Sequence, residues 1–215
     1  MEIEKQLELD LAASYRQNLQ DLSSLLEQFG YTVVPFNDAS LPHFHKLSRE
    51  HQVDVEKALG VYVNTLRSEY VSGSFDQERF VMQFLFRMGI LSSDDLHETI
   101  RSEKYIQIYN RDQLQIFRSL ACYERCSFTL EQLTTRPWFD LWERDSLFYY
   151  ACYGLAATAL KIMKFTKLRL DFPHHKVTEQ ESAFGYSFEY KIKSLSALTR
   201  QGKLQAALLV EDWKF

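Results

Sequence analysis

The hydrophobic period changes along this chain, and that change constrains the fold more than any other feature. In the first half, apolar residues recur at three- and four-residue steps, the spacing of one face of a helix. Leu7, Leu11, Tyr15, Leu19, Leu22, Leu26 and Phe29 form one such stripe. After Lys164 the period becomes two. Thr166, Leu168, Leu170 and Phe172 supply one strand pattern, and Tyr186, Phe188, Tyr190 and Ile192 alternate with Ser187, Glu189, Lys191 and Lys193. Such alternation describes a half-buried strand with one wet face. The expected class is α+β: a helical region over 1–103, then over 104–215 an antiparallel sheet with helices packed on one face.

Local signals set the expected elements. The first helix spans Glu2 to Phe29, with Gly30 as its C-cap. A second runs from Ser48 to Tyr70 with Val53, Leu59, Val63 and Leu66 on one side. Ser74 and Gln77 have capping-box spacing before a helix carrying Phe75, Phe80, Met82, Phe84, Leu85, Phe86 and Met88, which ends at Gly89. Ser92 or Ser93 caps a short helix over Asp94 to Ser102. Tyr105 to Tyr109 is rich in strand formers. Gln113 to Glu124 returns to helical spacing through Leu114, Phe117 and Leu120. Thr129 is suited to cap a short helix, and Pro137 to open another turn. Leu147 to Met163 is a helix apolar on most sides, so burial on more than one face is expected. Pro173-His174-His175 reads as a turn, and Arg200 to Lys203 as a hairpin turn in which Gly202 takes a positive φ.

Composition excludes several classes. With 46% hydrophobic residues the chain has the material for a packed core. A net charge of -4 without a basic block disfavours nucleic-acid binding. The most apolar run, Leu147 to Leu160, is about 14 residues, short of the roughly 20 that cross a bilayer. Three cysteines, Cys122, Cys126 and Cys152, are an odd number for a disulfide framework. With no apolar signal core at the N-terminus, the expectation is a cytoplasmic protein with no membrane contact.

The search for catalytic chemistry finds no complete motif. No nucleophile elbow, phosphate-binding glycine loop or zinc-protease helix is present, and no enzyme is expected. His43, His45 and His51 lack a cysteine or carboxylate at ligand spacing, so they read as solvated. His174 and His175 are adjacent on a strand end and point to opposite faces, which disfavours a shared metal. Cys122 and Cys126 read as small buried hydrophobes. The carboxylate pairs Asp94-Asp95 and Glu211-Asp212 sit at a helix start and a strand end, where helix-dipole stabilisation or solvation is the simpler role. No metal site is expected, and no cofactor is specified.

Three stretches carry a resemblance to a known family. They are Phe117 to Leu133 with its Ser127-Phe128-Thr129-Leu130-Glu131-Gln132-Leu133 core, Pro137 to Asp145, and Ser194 to Trp213. Together with the order strand, short helices, longer helix and three strands closing in a hairpin, residues 104–215 resemble the PAS family. Cys126 stands where that family often has glycine, and the helix at 147–163 is unusually apolar. The resemblance implies a sensor module. Thr135-Arg136-Pro137 stands where covalent flavin chemistry needs an Asn-Cys-Arg stretch, and Leu147 to Met163 contains no histidine for a haem. Both cofactors are therefore disfavoured.

The functional expectation is a signalling or regulatory sensor. Its PAS-like domain binds a small apolar molecule or a protein effector and relays that state through the N-terminal helices, since the chain stops just after the last strand. Candidate pocket residues are Phe117, Cys122, Trp138, Phe148, Tyr149, Tyr186, Phe188 and Tyr190. Leu11, Tyr15, Leu19, Leu22 and Leu26 are candidates for the seam of a homodimer, with a core-facing helix of a bundle as the other reading of the same stripe. The rival function is an interaction scaffold with a filled, ligand-free core.

Overall fold

The computed structural model describes residues 2–37, 39–90, 96–163, 167–169 and 173–215; side chains are described outside 2–9, 157 and 159–163. Its helices are α1 (Glu2–Gln28), α2 (Arg49–Val71), α3 (Gln77–Met88), α4 (Leu96–Ile100), α5 (Leu130–Thr135), α6 (Trp138–Leu141) and α7 (Leu147–Met163). The strands are β1 (Tyr105–Asn110), β2 (Gln115–Arg118), β3 (Trp142–Arg144), β4 (Lys167–Arg169), β5 (His175–Glu179), β6 (Ser187–Arg200) and β7 (Lys203–Lys214). They form one antiparallel sheet in the order β2-β1-β7-β6-β5-β3, with β4 pairing β6. The class is α+β, helical first and sheet second.

The α1 stripe faces inward. Tyr15, Leu19, Leu22 and Leu26 are buried in the chain's own core, and Leu11 is partly buried against it. The Tyr15 ring stacks on Phe44 at 4.1 Å, and its hydroxyl meets Thr134 Oγ1 of α5 at 2.6 Å. The dimer-seam reading is thus corrected in favour of the core-facing one, because intrachain contacts already occupy the residues a seam would use. Leu7 lies outside the described side chains. Gly30 ends α1 at φ +86°, with the Tyr31 amide donating back to the Leu26 carbonyl, as a left-handed cap requires.

In α2, Ser48 caps the first turn, and Leu59, Val63 and Leu66 are buried as their spacing predicts. Val53 is exposed instead, and Val55 takes the inward position. The cap of α3 is Asp76, whose side chain accepts from the Arg79 amide at 2.8 Å, and the Ser74 expectation is corrected. Buried Glu69 explains the shift: it accepts two hydrogen bonds from Arg79 and one from the Asp76 amide, fixing the loop ahead of the helix. Gly89 closes α3 at φ +69°. The caps expected at Ser92 or Ser93, the pair Asp94-Asp95, and Thr166, Leu170 and Phe172 lie outside the described residues.

The largest correction concerns Gln113 to Glu124, which is a strand and a 3-10 turn rather than a helix. Asn110 Oδ1 accepts from the amides of Asp112 and Leu114, and Gln113 takes φ +66°; together they turn the chain into a hairpin. All four β2 residues are buried, because the sheet is covered on both faces there, and that burial erases the period-2 signal. Phe117, opposite Ile108, meets the rings of Tyr62, Phe80 and Phe84 from α2 and α3. The helical half therefore packs on the face of β1 and β2 opposite the one covered by α6 and α7. One apolar cluster runs through both halves.

Thr129 and Gln132 form a reciprocal capping box at α5, and Pro137 precedes α6 as expected. The hairpin turn carries φ +51° at Gln201 and +72° at Gly202. His175 begins β5 rather than a turn, and β7 continues past Val210 to Lys214. The α7 helix is not buried all round, since Leu147, Phe148 and Leu155 are exposed. No helix among the described residues is long and apolar enough to cross a membrane.

Candidate functional site

The sheet face under α6 and α7 floors an open-mouthed cavity of about 490 Å³. Register explains its floor. Tyr190 pairs with Trp213, Ile192 with Glu211, Leu195 with Leu209, and Gln107 with Leu209, so these side chains share one face. Tyr109 and Val177 extend that floor to either side, and Trp138, Tyr153 and Ala156 close it from the helices. A mostly aromatic wall with few polar groups and a volume in this range describes a small-molecule site.

The side wall is β3, which local sequence does not announce. Its three residues pair with β5 so that Trp142 and Arg144 turn inward and Glu143 outward. Tyr150 of α7 fastens the strand: its hydroxyl accepts from the Arg144 amide at 3.1 Å and donates to the Trp142 carbonyl at 2.9 Å. Trp138 is held by its indole N–H donating to Gln113 Oε1 at 2.9 Å, and its ring stacks on Tyr150. Arg144 is only 9% exposed, and its guanidinium sits among the rings of Trp138, Tyr150, Tyr153 and Tyr190 at 4.6–5.6 Å. Such rings stabilise a cation through their faces.

Glu211 lies across the floor, 3% exposed. Its Oε1 accepts from the Tyr190 hydroxyl at 2.8 Å and its Oε2 from the Trp213 indole N–H at 2.9 Å. Burial pushes its carboxyl up to about 7, although those two hydrogen bonds and the charges of Arg118 and Arg144 hold it down. The solvated role expected for Glu211 is corrected: alternation through Ala207, Leu209, Glu211 and Trp213 turns it inward, and continuing the strand past Val210 would have revealed this. His175 stacks on Tyr149 at 3.7 Å, and burial, aided by the Arg144 charge, lowers it to about 4. His174 points the other way, to Asp212.

A polar ladder flanks the floor. Gln115 donates to Gln107 Oε1 at 2.6 Å and to the Tyr109 hydroxyl at 3.1 Å, and Tyr109 also donates to Gln107. Behind it, the Arg118 guanidinium packs over Trp142, Trp213 and Tyr123 and donates to the Cys122 carbonyl at 2.9 Å. On the helical side, the Arg118 carbonyl accepts from the Tyr62 hydroxyl of α2 at 2.7 Å. Arg118 is therefore a direct mechanical contact between two cavity-wall tryptophans and the N-terminal helices.

Of the expected pocket residues, Trp138, Phe188 and Tyr190 line the cavity. Phe117 is on the opposite sheet face, against α2 and α3. Cys122 is buried behind the ladder beside Ser119, and burial raises its thiol to about 11, which keeps it unreactive. Phe148 and Tyr186 are exposed, and Tyr149 stacks on His175 outside the lining. Arg144 and Glu211, a buried arginine and a buried glutamate that line the cavity, were both missed as pocket residues. Among the described residues no three histidine, cysteine or carboxylate side chains gather as metal ligands. Compared with known proteins, the chain matches no family model, no curated protein and no solved structure.

Proposed function

We propose that the protein is a regulatory sensor in which a PAS-like module over 104–215 takes a small molecule into the cavity and relays its occupancy to the N-terminal helices. The observation that carries this reading is the cavity of about 490 Å³ under α6 and α7. A scaffold with a filled core would have no use for it. The PAS-like part is supported by the succession of β1, β2, short helices, the longer α7 and a closing β6–β7 hairpin. The relay is supported by Arg118, which touches two cavity-wall rings with its side chain and α2 with its carbonyl. A ligand moves such an equilibrium only by its differential affinity for two arrangements of that contact.

Native mass spectrometry of the purified chain, with hydrogen exchange on the same sample, tests the proposal. A bound small molecule is expected, and its removal is expected to change exchange in α2. A ligand whose removal leaves α2 unchanged refutes the relay. Failure to bind any small molecule refutes the sensor.

A further inference from the structure

Within the cavity, Arg144 is a buried cation with two unused donor atoms. Its Nε and Nη1 have no hydrogen-bond partner among the described residues. Its guanidinium carbon lies over four aromatic rings, whose π faces supply no lone-pair acceptor to those two donor atoms. Nearby carboxylates are committed elsewhere. Glu211 accepts from Tyr190 and Trp213, Glu179 from Ser127, Ser182 and the Tyr186 amide, and Asp145 from the Lys176 amide. A natural sequence seldom leaves a buried fork of donors without an acceptor, because each orphan carries its desolvation penalty.

We propose that the cavity's ligand is a monocarboxylate with an aromatic or branched apolar body, its carboxylate held by Arg144 and its body against Trp138, Tyr153 and Tyr190. This inference rests on the cavity being a ligand site. Arginine's planar fork matches a carboxylate with two parallel hydrogen bonds. A single negative charge fits because, among the described residues, Arg144 is the buried cation lining the cavity. Arg118 is screened behind Trp142 and Trp213, and Arg111 is an exposed residue of the β1–β2 turn at the rim. The rest of the wall favours an apolar, ring-bearing body.

The test is calorimetric titration of the full chain with phenylacetate, indole-3-acetate and decanoate, each beside its primary amide. The acids are expected to bind about ten- to a hundred-fold tighter than the amides. Arg144→Met is expected to bring the acids down to the level of the amides, whose own affinity falls by far less. Arg169→Gln, an exposed cation on β4, is expected to change neither. If Arg144→Met fails to fold, Arg144→Lys keeps the charge without the fork and is expected to lose most of the preference. Equal affinity of acids and amides overturns the carboxylate inference and leaves the ligand site standing. Binding of neither class up to the solubility limit overturns the carboxylate inference, while the ligand site is judged by native mass spectrometry of the purified chain.

Discussion

Glu211 and His175 face the same side of the sheet and have pKa values displaced in opposite senses, so the pH dependence of stability tests the geometry of the site. Glu211 moves from 4.5 to about 7 on folding. Between those values the folded chain keeps a proton that the unfolded chain has lost. Its contribution is fully present below 4.5 and is lost as pH rises through about 7. His175 moves from 6.5 to about 4. Between those values the unfolded chain holds the proton, so stability is lost as pH falls from 6.5 toward 4. One proton of difference is worth about 1.4 kcal/mol per pH unit, so each group accounts for about 3 kcal/mol over its window. From 4.5 to 6.5 both states hold one proton on this pair, on Glu211 when folded and on His175 when unfolded, and the two slopes cancel.

Single variants are expected to unmask them. His175→Phe keeps a ring against Tyr149 and leaves the Glu211 slope alone. Relative to the parent, its stability is expected to fall by about 1.4 kcal/mol per pH unit as pH rises from 4.5 to 6.5. Glu211→Gln leaves the His175 slope alone, and its stability relative to the parent is expected to rise with pH at the same rate over the same window. Urea unfolding at several pH values measures both, because the remaining titrating groups are common to all three chains and drop out of the difference. Parallel curves for the parent and both variants would refute the assignment of a neutral buried histidine and a protonated buried carboxyl on this sheet face.

Other perturbations probe the scaffold around the site. Tyr62→Phe removes the donor to the buried Arg118 carbonyl; a loss of about 1–3 kcal/mol is expected in urea unfolding, with a weaker response of α2 hydrogen exchange to ligand. Phe117→Ala leaves a hole among Tyr62, Phe80 and Phe84, and calorimetric unfolding is expected to register about 3–5 kcal/mol. Thr129→Ala breaks the capping box of α5, with an expected cost of about 1 kcal/mol by urea unfolding. Gly154 lies in the middle of α7, and a Cβ there meets no atom beyond its own helical turn within 4 Å among the described residues. Gly154→Ala is expected to raise stability by up to about 1 kcal/mol through helix propensity alone.

Elements whose signal is local were legible in the sequence. The α1 stripe, the Gly30 and Gly89 caps, the Thr129 cap, the β6 alternation from Phe188 to Lys193 and the Gly202 turn each depend on residues a few positions apart, and each stands where its spacing says; Tyr186 precedes the strand and is exposed. Capping and φ preferences are properties of short segments, so no tertiary partner is needed to express them. The same holds for the α+β class, which needs only the change of period.

What the tertiary structure decided is mostly a matter of what covers what. β2 has no readable period because the helical half covers its second face, and a strand buried on both sides looks like any short apolar run. β3 and β5 exist through pairing with each other and with β6, across more than thirty residues of sequence between Arg144 and Val177. Arg144 is legible in the sequence only as a charge in a polar stretch. Its burial comes from rings contributed by α6, α7 and β6, which meet only when the sheet closes. The sequence alone determines that this chain alternates from helix to sheet and carries enough aromatic residues to wall a pocket. The fold alone decides that a guanidinium and a carboxyl stand inside it, because burying a charge depends on long-range contacts that no local pattern encodes.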